Sequence, residues 1–254
     1  MNKTTLLLLV ASLVPSYVLA WNTPGDDFSS ELKLGGIVTN TRPPWVWNVG
    51  GGNEELDAKY SSLSRNRKEV IPISLSAMTV LLGKSTQVMP VGRAGLSPLV
   101  IYGKAVEGFI LKWTAPGTAT VILPVTGEDN IRVGSFTFRM QAAAVMRHVA
   151  NGQTIYTGLY EDLKGNGLPE QAVVMPAKQV PGKLQAMFGG EGPNWLEELR
   201  VSAIVGLSNF SNTNLHQLEG VYGAQIVPGS GELRLVGDVP FNWHASLPVN
   251  IEYQ

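Results

Sequence analysis

Apolar residues recur at every second position in short runs along this chain, and the runs end at Gly, Pro, Asn or Asp. That is the pattern of half-buried strands. Ile71, Ile73 and Leu75 alternate, Leu81-Leu82 closes on Gly83, and Leu99 to Tyr102 follows Pro98. Phe109 to Trp113 stops at Pro116-Gly117, Val121 to Val125 stops at Gly127 to Asn130, and Ile131 to Met140 sets Phe136, Phe138 and Met140 on one face. Thr154 to Tyr160, Gln171 to Met175, Gly223 to Val227, Glu232 to Val236 and Leu247 to Tyr253 complete the series. Strands at this spacing, mostly without helices between them, predict an all-β chain folded as a sandwich of antiparallel sheets.

Two stretches depart from the pattern. Phe138 to Ala150 is rich enough in Ala and Met for a short helix, yet it also continues a strand. The run Asn194 to Val201 has an N-cap candidate at Asn194, acids in its first turn and apolar residues at helical spacing, which predicts a helix of one or two turns. Gly and Pro bound it on both sides, so residues 182–214 read as an insertion between core strands.

The two ends carry the most informative alternation. Near the start, Phe28, Ser30, Leu32, Leu34, Gly36 and Val38 fall on one face, and Ser29, Glu31 and Lys33 on the other. This is either the first strand of the sandwich or a segment that leaves its own domain and completes a neighbour's sheet. Burial of Phe28, Leu32, Leu34 and Val38 in a neighbour would contribute on the order of 6–12 kcal/mol before ordering costs, enough to hold two subunits together. At the other end Leu247, Val249, Ile251 and Tyr253 alternate with Pro248, Asn250 and Glu252 up to the penultimate residue. Termini usually fray, so this strand is either an ordinary edge or one gripped by a partner.

Ahead of these segments, Lys3 precedes an apolar run from Leu6 to Val14, and Val18-Leu19-Ala20 offers small or permissive residues at the −3 and −1 positions. This predicts an export signal over residues 1–20, cleaved between Ala20 and Trp21. The run is about half the roughly 20 residues that cross a bilayer, so no membrane insertion is expected.

Composition narrows the function. The 254 residues are 44% hydrophobic and 15% charged, with a formal net charge of −1, so nothing favours nucleic acid or an anionic membrane surface. There is no Cys, and the three histidines, His148, His216 and His244, are far apart in sequence; no metal site or cofactor is expected. Adjacent acids such as Glu128-Asp129, Glu161-Asp162 and Glu197-Glu198 lie by turn residues and read as solvated turns. Asp162 to Gly167 imitates a calcium loop, but Lys164 stands where an oxygen ligand is needed and Val173 where the bidentate Glu belongs. No serine sits in a nucleophile elbow. The chain is not expected to be an enzyme. Of the tryptophans Trp45, Trp47, Trp113, Trp195 and Trp243, most should pack in the core, and Trp195 in the insertion is the best candidate for an exposed ring.

Taken together, the start at Trp21, the Phe28 to Val38 stripe with Gly35-Gly36, the run Trp45-Val46-Trp47-Asn48-Val49-Gly50, Leu81-Leu82-Gly83-Lys84 and the end from Trp243 to Tyr253 resemble subunits of chaperone-usher fimbriae. The resemblance is to the kappa class, the Fae-type fimbriae of enterotoxigenic enterobacteria, and within it to a minor subunit. It implies an incomplete immunoglobulin-like sandwich over residues 39–254 that lacks its last strand. A periplasmic pilus chaperone supplies that strand first, and the N-terminal extension of another fimbrial subunit replaces it at the outer-membrane usher. By the resemblance Phe28, Ser30, Leu32, Leu34, Gly36 and Val38, within an extension at residues 21–38, donate the strand, and Leu247, Val249, Ile251 and Tyr253 face the chaperone and line the groove. The function implied is structural: export through the periplasm to a fimbria on the bacterial surface, with adhesion to a host glycan receptor through the fibre. A Gly found fourteen residues from the end of many pilins is replaced here by Phe241. The alternative reading is a self-contained exported carbohydrate-binding adhesin domain whose first strand pairs internally.

Overall fold

The computed structural model describes residues 43–52, 56, 58, 70–236 and 240–254. The expected export signal with its Ala20/Trp21 cleavage site, and the stripe Phe28, Ser30, Leu32, Leu34, Gly36 and Val38, lie outside the described residues. In chain order the strands are β1 (Trp45–Val49), β2 (Val70–Ile73), β3 (Thr79–Ser85), β4 (Met89–Val91), β5 (Pro98–Tyr102), β6 (Ile110–Ala115) and β7 (Thr118–Thr126). They continue with β8 (Arg132–Ala150), β9 (Gln153–Tyr160), the helix α1 (Val180–Phe188), β10 (Ala203–Gly206), β11 (His216–Ile226), β12 (Gly231–Leu235) and β13 (Val249–Tyr253).

Strand β8 is the spine. Its first half pairs with β7 on one edge and β12 on the other, and its second half with β9 and β11. From these neighbours the sheet extends outward: β3 and then β1 beyond β11, β2 beyond β12, β6 beyond β7. A separate two-stranded sheet of β5 and β13 covers the other side of the core. The fold is an all-β sandwich. Its interior holds Trp45, Phe136, Phe138, Met140, Tyr102 and Tyr222, and the hydroxyls of Tyr102 and Tyr222 meet at 3.0 Å, tying β5 to β11 across the core. Burial pushes both phenols above their ordinary pKa.

The ambiguous stretch from Phe138 to Ala150 is strand throughout. Phe136, Phe138 and Met140 alternate with partly or fully exposed residues, but Ala142 through Met146 are all buried, because both faces are covered there. Ala142, Ala144 and Met146 join the main core, while Ala143 and Val145 lie under α1 with Leu184, Met187 and Phe188. A strand covered on both faces has a continuous apolar run, which hides its period.

The helix falls at Val180–Phe188 and not at Asn194 to Val201, where there is only a three-residue 3₁₀ turn, Asn194–Leu196. An α-helix continuing through that site needs the carbonyls of Leu196 and Glu197 for residues four positions on. Both accept hydrogen bonds from the Gln185 side-chain amide, at 2.9 and 3.1 Å, and the Leu199 N–H reaches the Leu196 carbonyl three positions back at 3.4 Å, the spacing of a 3₁₀ turn. Pro181 stands in the first turn of α1, where its missing N–H costs nothing, and Gly189 ends it with φ 55°. Residues 171–175, expected as a strand, form a 3₁₀ turn at Gln171–Val173. The α1 segment belongs to the long connection from β9 to β10, which run parallel; parallel neighbours need such a crossover.

Candidate functional site

The C-terminal strand β13 is paired along one edge. Its antiparallel register on β5 runs from Val249 opposite Tyr102 to Tyr253 opposite Pro98. The ladder continues past both ends: Gly103 N–H donates to Pro248 O at 2.9 Å, and Gln254 and Ser97 exchange two hydrogen bonds of 3.1 Å. In an antiparallel ladder residues alternate between facing the partner and facing away. Pro248, Asn250, Glu252 and Gln254 therefore turn their backbone groups to β5. The N–H and C=O of Val249, Ile251 and Tyr253 turn outward, and among the described residues no strand pairs with them.

The side chains of those same three residues, with Leu247, point into the sandwich but are only partly buried. Beside them opens a furrow of about 570 Å³, lined mostly by apolar residues, that reaches into the core. Val49, Ile71, Phe136, Phe138, Leu233 and Val249 are among its walls. Thus Val249, Ile251 and Tyr253, singled out from alternation, sit together on one face of β13, with Leu247 just ahead of the strand, and Leu247 and Val249 line the furrow.

Residues 240–247 form one rim. His244 and Thr126 exchange backbone hydrogen bonds of 2.9 and 3.0 Å, and the Trp243 ring packs on Phe136 at 5.2 Å, so the rim is anchored just after Phe241, which is 93% exposed. Across the furrow β1 brings Trp45 and Trp47, stacked at 5.5 Å with 15° between their planes. The Trp47 indole N–H donates to the Tyr253 hydroxyl at 3.0 Å.

The far edge of β5 is closed. The Asn166 side chain acts as a strand residue would: its Oδ1 accepts from Tyr102 N–H at 2.7 Å and its Nδ2 donates to Tyr102 O at 3.0 Å. The Asn166 and Gly167 N–H groups both donate to Val100 O. The loop fits this closely because Gly167 has no side chain; a Cβ there would lie 2.4 Å from Val100 Cβ. Neither Trp47 nor Asn166 shows in the sequence as a site residue, since each is defined by a partner more than sixty positions away.

Other candidates separate cleanly. Among the described residues no three His, Cys, Asp or Glu side chains are placed to hold a metal ion. Trp195 is not a free platform: its ring lies 5.7 Å from Tyr156 and its N–H donates to Glu219 at 3.2 Å, beside the ion pair of Glu219 with Arg147. The pair Glu161-Asp162 is not a solvated turn. Asp162 accepts from the Ser208 N–H and hydroxyl, and Glu161 is only 8% exposed, where burial raises its carboxyl pKa although the Leu163 N–H donates to it at 3.0 Å. No helix among the described residues is long and apolar enough to cross a membrane.

Comparison with known proteins gives these features a context. The model of a family described as "Fimbrial, major and minor subunit" matches residues 1–254. The K88 minor fimbrial subunit FaeI of Escherichia coli is 60% identical over 254 residues, covering 100% of both chains. A match along its whole length places this all-β chain in the family of major and minor fimbrial subunits.

Proposed function

We propose that this structural subunit of a surface fimbria is completed by a strand from another chain, added along the outer edge of β13. The observation that carries the reading is the coincidence, on Val249, Ile251 and Tyr253, of outward-facing backbone groups and incompletely covered inward side chains beside an apolar furrow. A strand laid there would satisfy the backbone groups by β-augmentation and drop alternate side chains into the furrow. The stripe of Phe28, Leu32, Leu34 and Val38, with small Ser30 and Gly36, has the matching alternation. Export through a signal at residues 1–20 brings the chain to the periplasm, where a pilus chaperone fills the edge of β13 first and the outer-membrane usher exchanges it for the extension of another subunit. The role is structural, and the close relationship to a minor subunit supports a minor place in the fibre.

Deletion of residues 21–38 tests the donor half. The truncated subunit should still accumulate in the periplasm with its chaperone, because its furrow is intact, but should fail to cap a following furrow and drop out of fibres. A truncated chain that purifies alone as a stable monomer and still enters fibres would overturn the reading.

A further inference from the structure

The furrow does not run the full length of β13. Its walls include Val49 of β1 and Val249 of β13, but not Trp47, Ile251 or Tyr253. It stops where the Trp47 and Tyr253 side chains meet. Trp47 is held firmly at that point. Register sets it opposite Gly83 of β3, and its ring lies so close over that residue that a Cβ would fall 2.2 Å from the ring. Trp45 stacks on one side and Tyr222 approaches at 5.8 Å. From this seat the indole N–H reaches the Tyr253 hydroxyl at 3.0 Å and joins β1 to β13, the two lips of the furrow.

We propose that Trp47 and Tyr253 form a latch that closes one end of the furrow, so that the side chains of an incoming strand are stopped near Val249 until this hydrogen bond opens. The inference rests on the reading that the furrow accepts a strand. A strand extending along β13 must place every second side chain between the sheets. At the level of Tyr253 that space holds two aromatic rings and one hydrogen bond, so insertion there requires the bond to break and the rings to part. The two residues act by position: they set how far a strand zips in and how fast. A single hydrogen bond of this kind shifts an equilibrium by roughly two- to tenfold.

The test uses the full chain, co-expressed and purified with a periplasmic pilus chaperone, and a labelled peptide spanning residues 26–40 as the incoming strand. Trp47→Phe and Tyr253→Phe each remove the bond while keeping an aromatic ring. Each should speed peptide insertion by roughly two- to tenfold, and the double variant should be no faster than either single one, because both delete the same bond. Insertion at the wild-type rate in both variants, or independent effects that multiply, would overturn the latch. If Trp47→Phe does not accumulate, Tyr253→Phe, which loses one hydroxyl on a partly exposed residue, decides the matter. A wild-type chain that takes up no peptide at all would overturn both the latch and the strand-acceptor reading beneath it.

Discussion

Replacement of Val249 by Asp separates the open furrow from the filled one. Val249 is partly buried against the core and lines the furrow. With the furrow open, water reaches this wall, so a carboxylate there stays hydrated and the chain loses only part of the apolar burial of Val, about 1–2 kcal/mol. A strand laid over it would strip that water. The carboxylate would then take up a proton, at a cost set by the distance between the working pH and its ordinary pKa. From about 3.9 to pH 7.4, at about 1.36 kcal/mol per unit, the ceiling is about 5 kcal/mol. The protonation cost alone should therefore lower affinity for a strand peptide by up to about three thousandfold at pH 7.4 and by up to about tenfold at pH 5, where the same arithmetic leaves about 1.5 kcal/mol. Fluorescence anisotropy of a labelled peptide across this pH range measures it, with denaturant unfolding of the subunit as the companion. Asn250→Asp is the control: its side chain is exposed on the other face of β13, and it should cost almost nothing. Equal losses at positions 249 and 250, or a Val249→Asp defect indifferent to pH, would refute the reasoning.

Three further outcomes follow from the same contacts. Gly83→Ala sets a Cβ 2.2 Å from the Trp47 ring, and thermal unfolding should show a loss of about 1–3 kcal/mol as the ring is displaced. Asn166→Leu removes both hydrogen bonds to the Tyr102 backbone; it should cost about 1–3 kcal/mol and, in light scattering, increase self-association through the freed edge of β5. Glu161 has a folded-state pKa raised above its ordinary 4.5 by burial, so its neutral form is favoured in the fold. The stability this brings is present at low pH and is lost as the pH climbs from 4.5 through the folded value. Glu161→Gln should flatten that decline, and melting temperatures measured between pH 4 and 8 would expose a wild-type curve that does not fall.

Much of this was legible from alternation because one-sided burial writes itself into sequence with period two. The last strand, expected at Leu247 to Tyr253 and found at Val249–Tyr253, and its inward face could be read directly, and so could Phe136, Phe138 and Met140. The signal fades where burial is not one-sided. Residues 142–146 look helical because α1 covers their outer face, and Asn194 to Val201 keeps helical spacing although Gln185 captures the carbonyls a helix would need. Trp45 and Trp47 show as a motif, but the seat of Trp47 against Tyr253 depends on the register with β3 that sets Gly83 beneath it. The closing of β5 by Asn166 leaves no periodic trace. It is a side chain substituting for backbone, across a separation of 64 positions.

That closing bears on the kind of assembly a strand-accepting subunit can build. A two-stranded sheet has two outer edges, and if both accepted strands, each subunit could recruit two neighbours and the product would branch or aggregate. Here the edge of β5 is occupied by Asn166 and Gly167, and the edge of β13 is the one bordering the furrow. On the proposed reading, the one acceptor edge of this two-stranded sheet combined with one donor segment would make the strand contacts head-to-tail. Such a contact joins two different surfaces, so repetition gives an open linear chain and does not close into a symmetric dimer. On that reading the loop around Asn166 would serve fibre formation together with β13: an Asn166→Leu subunit should start lateral clumps where the wild type extends a thread. Electron micrographs of fibres assembled from it that remain single threads would mean the far edge of β5 is protected by something other than this side chain.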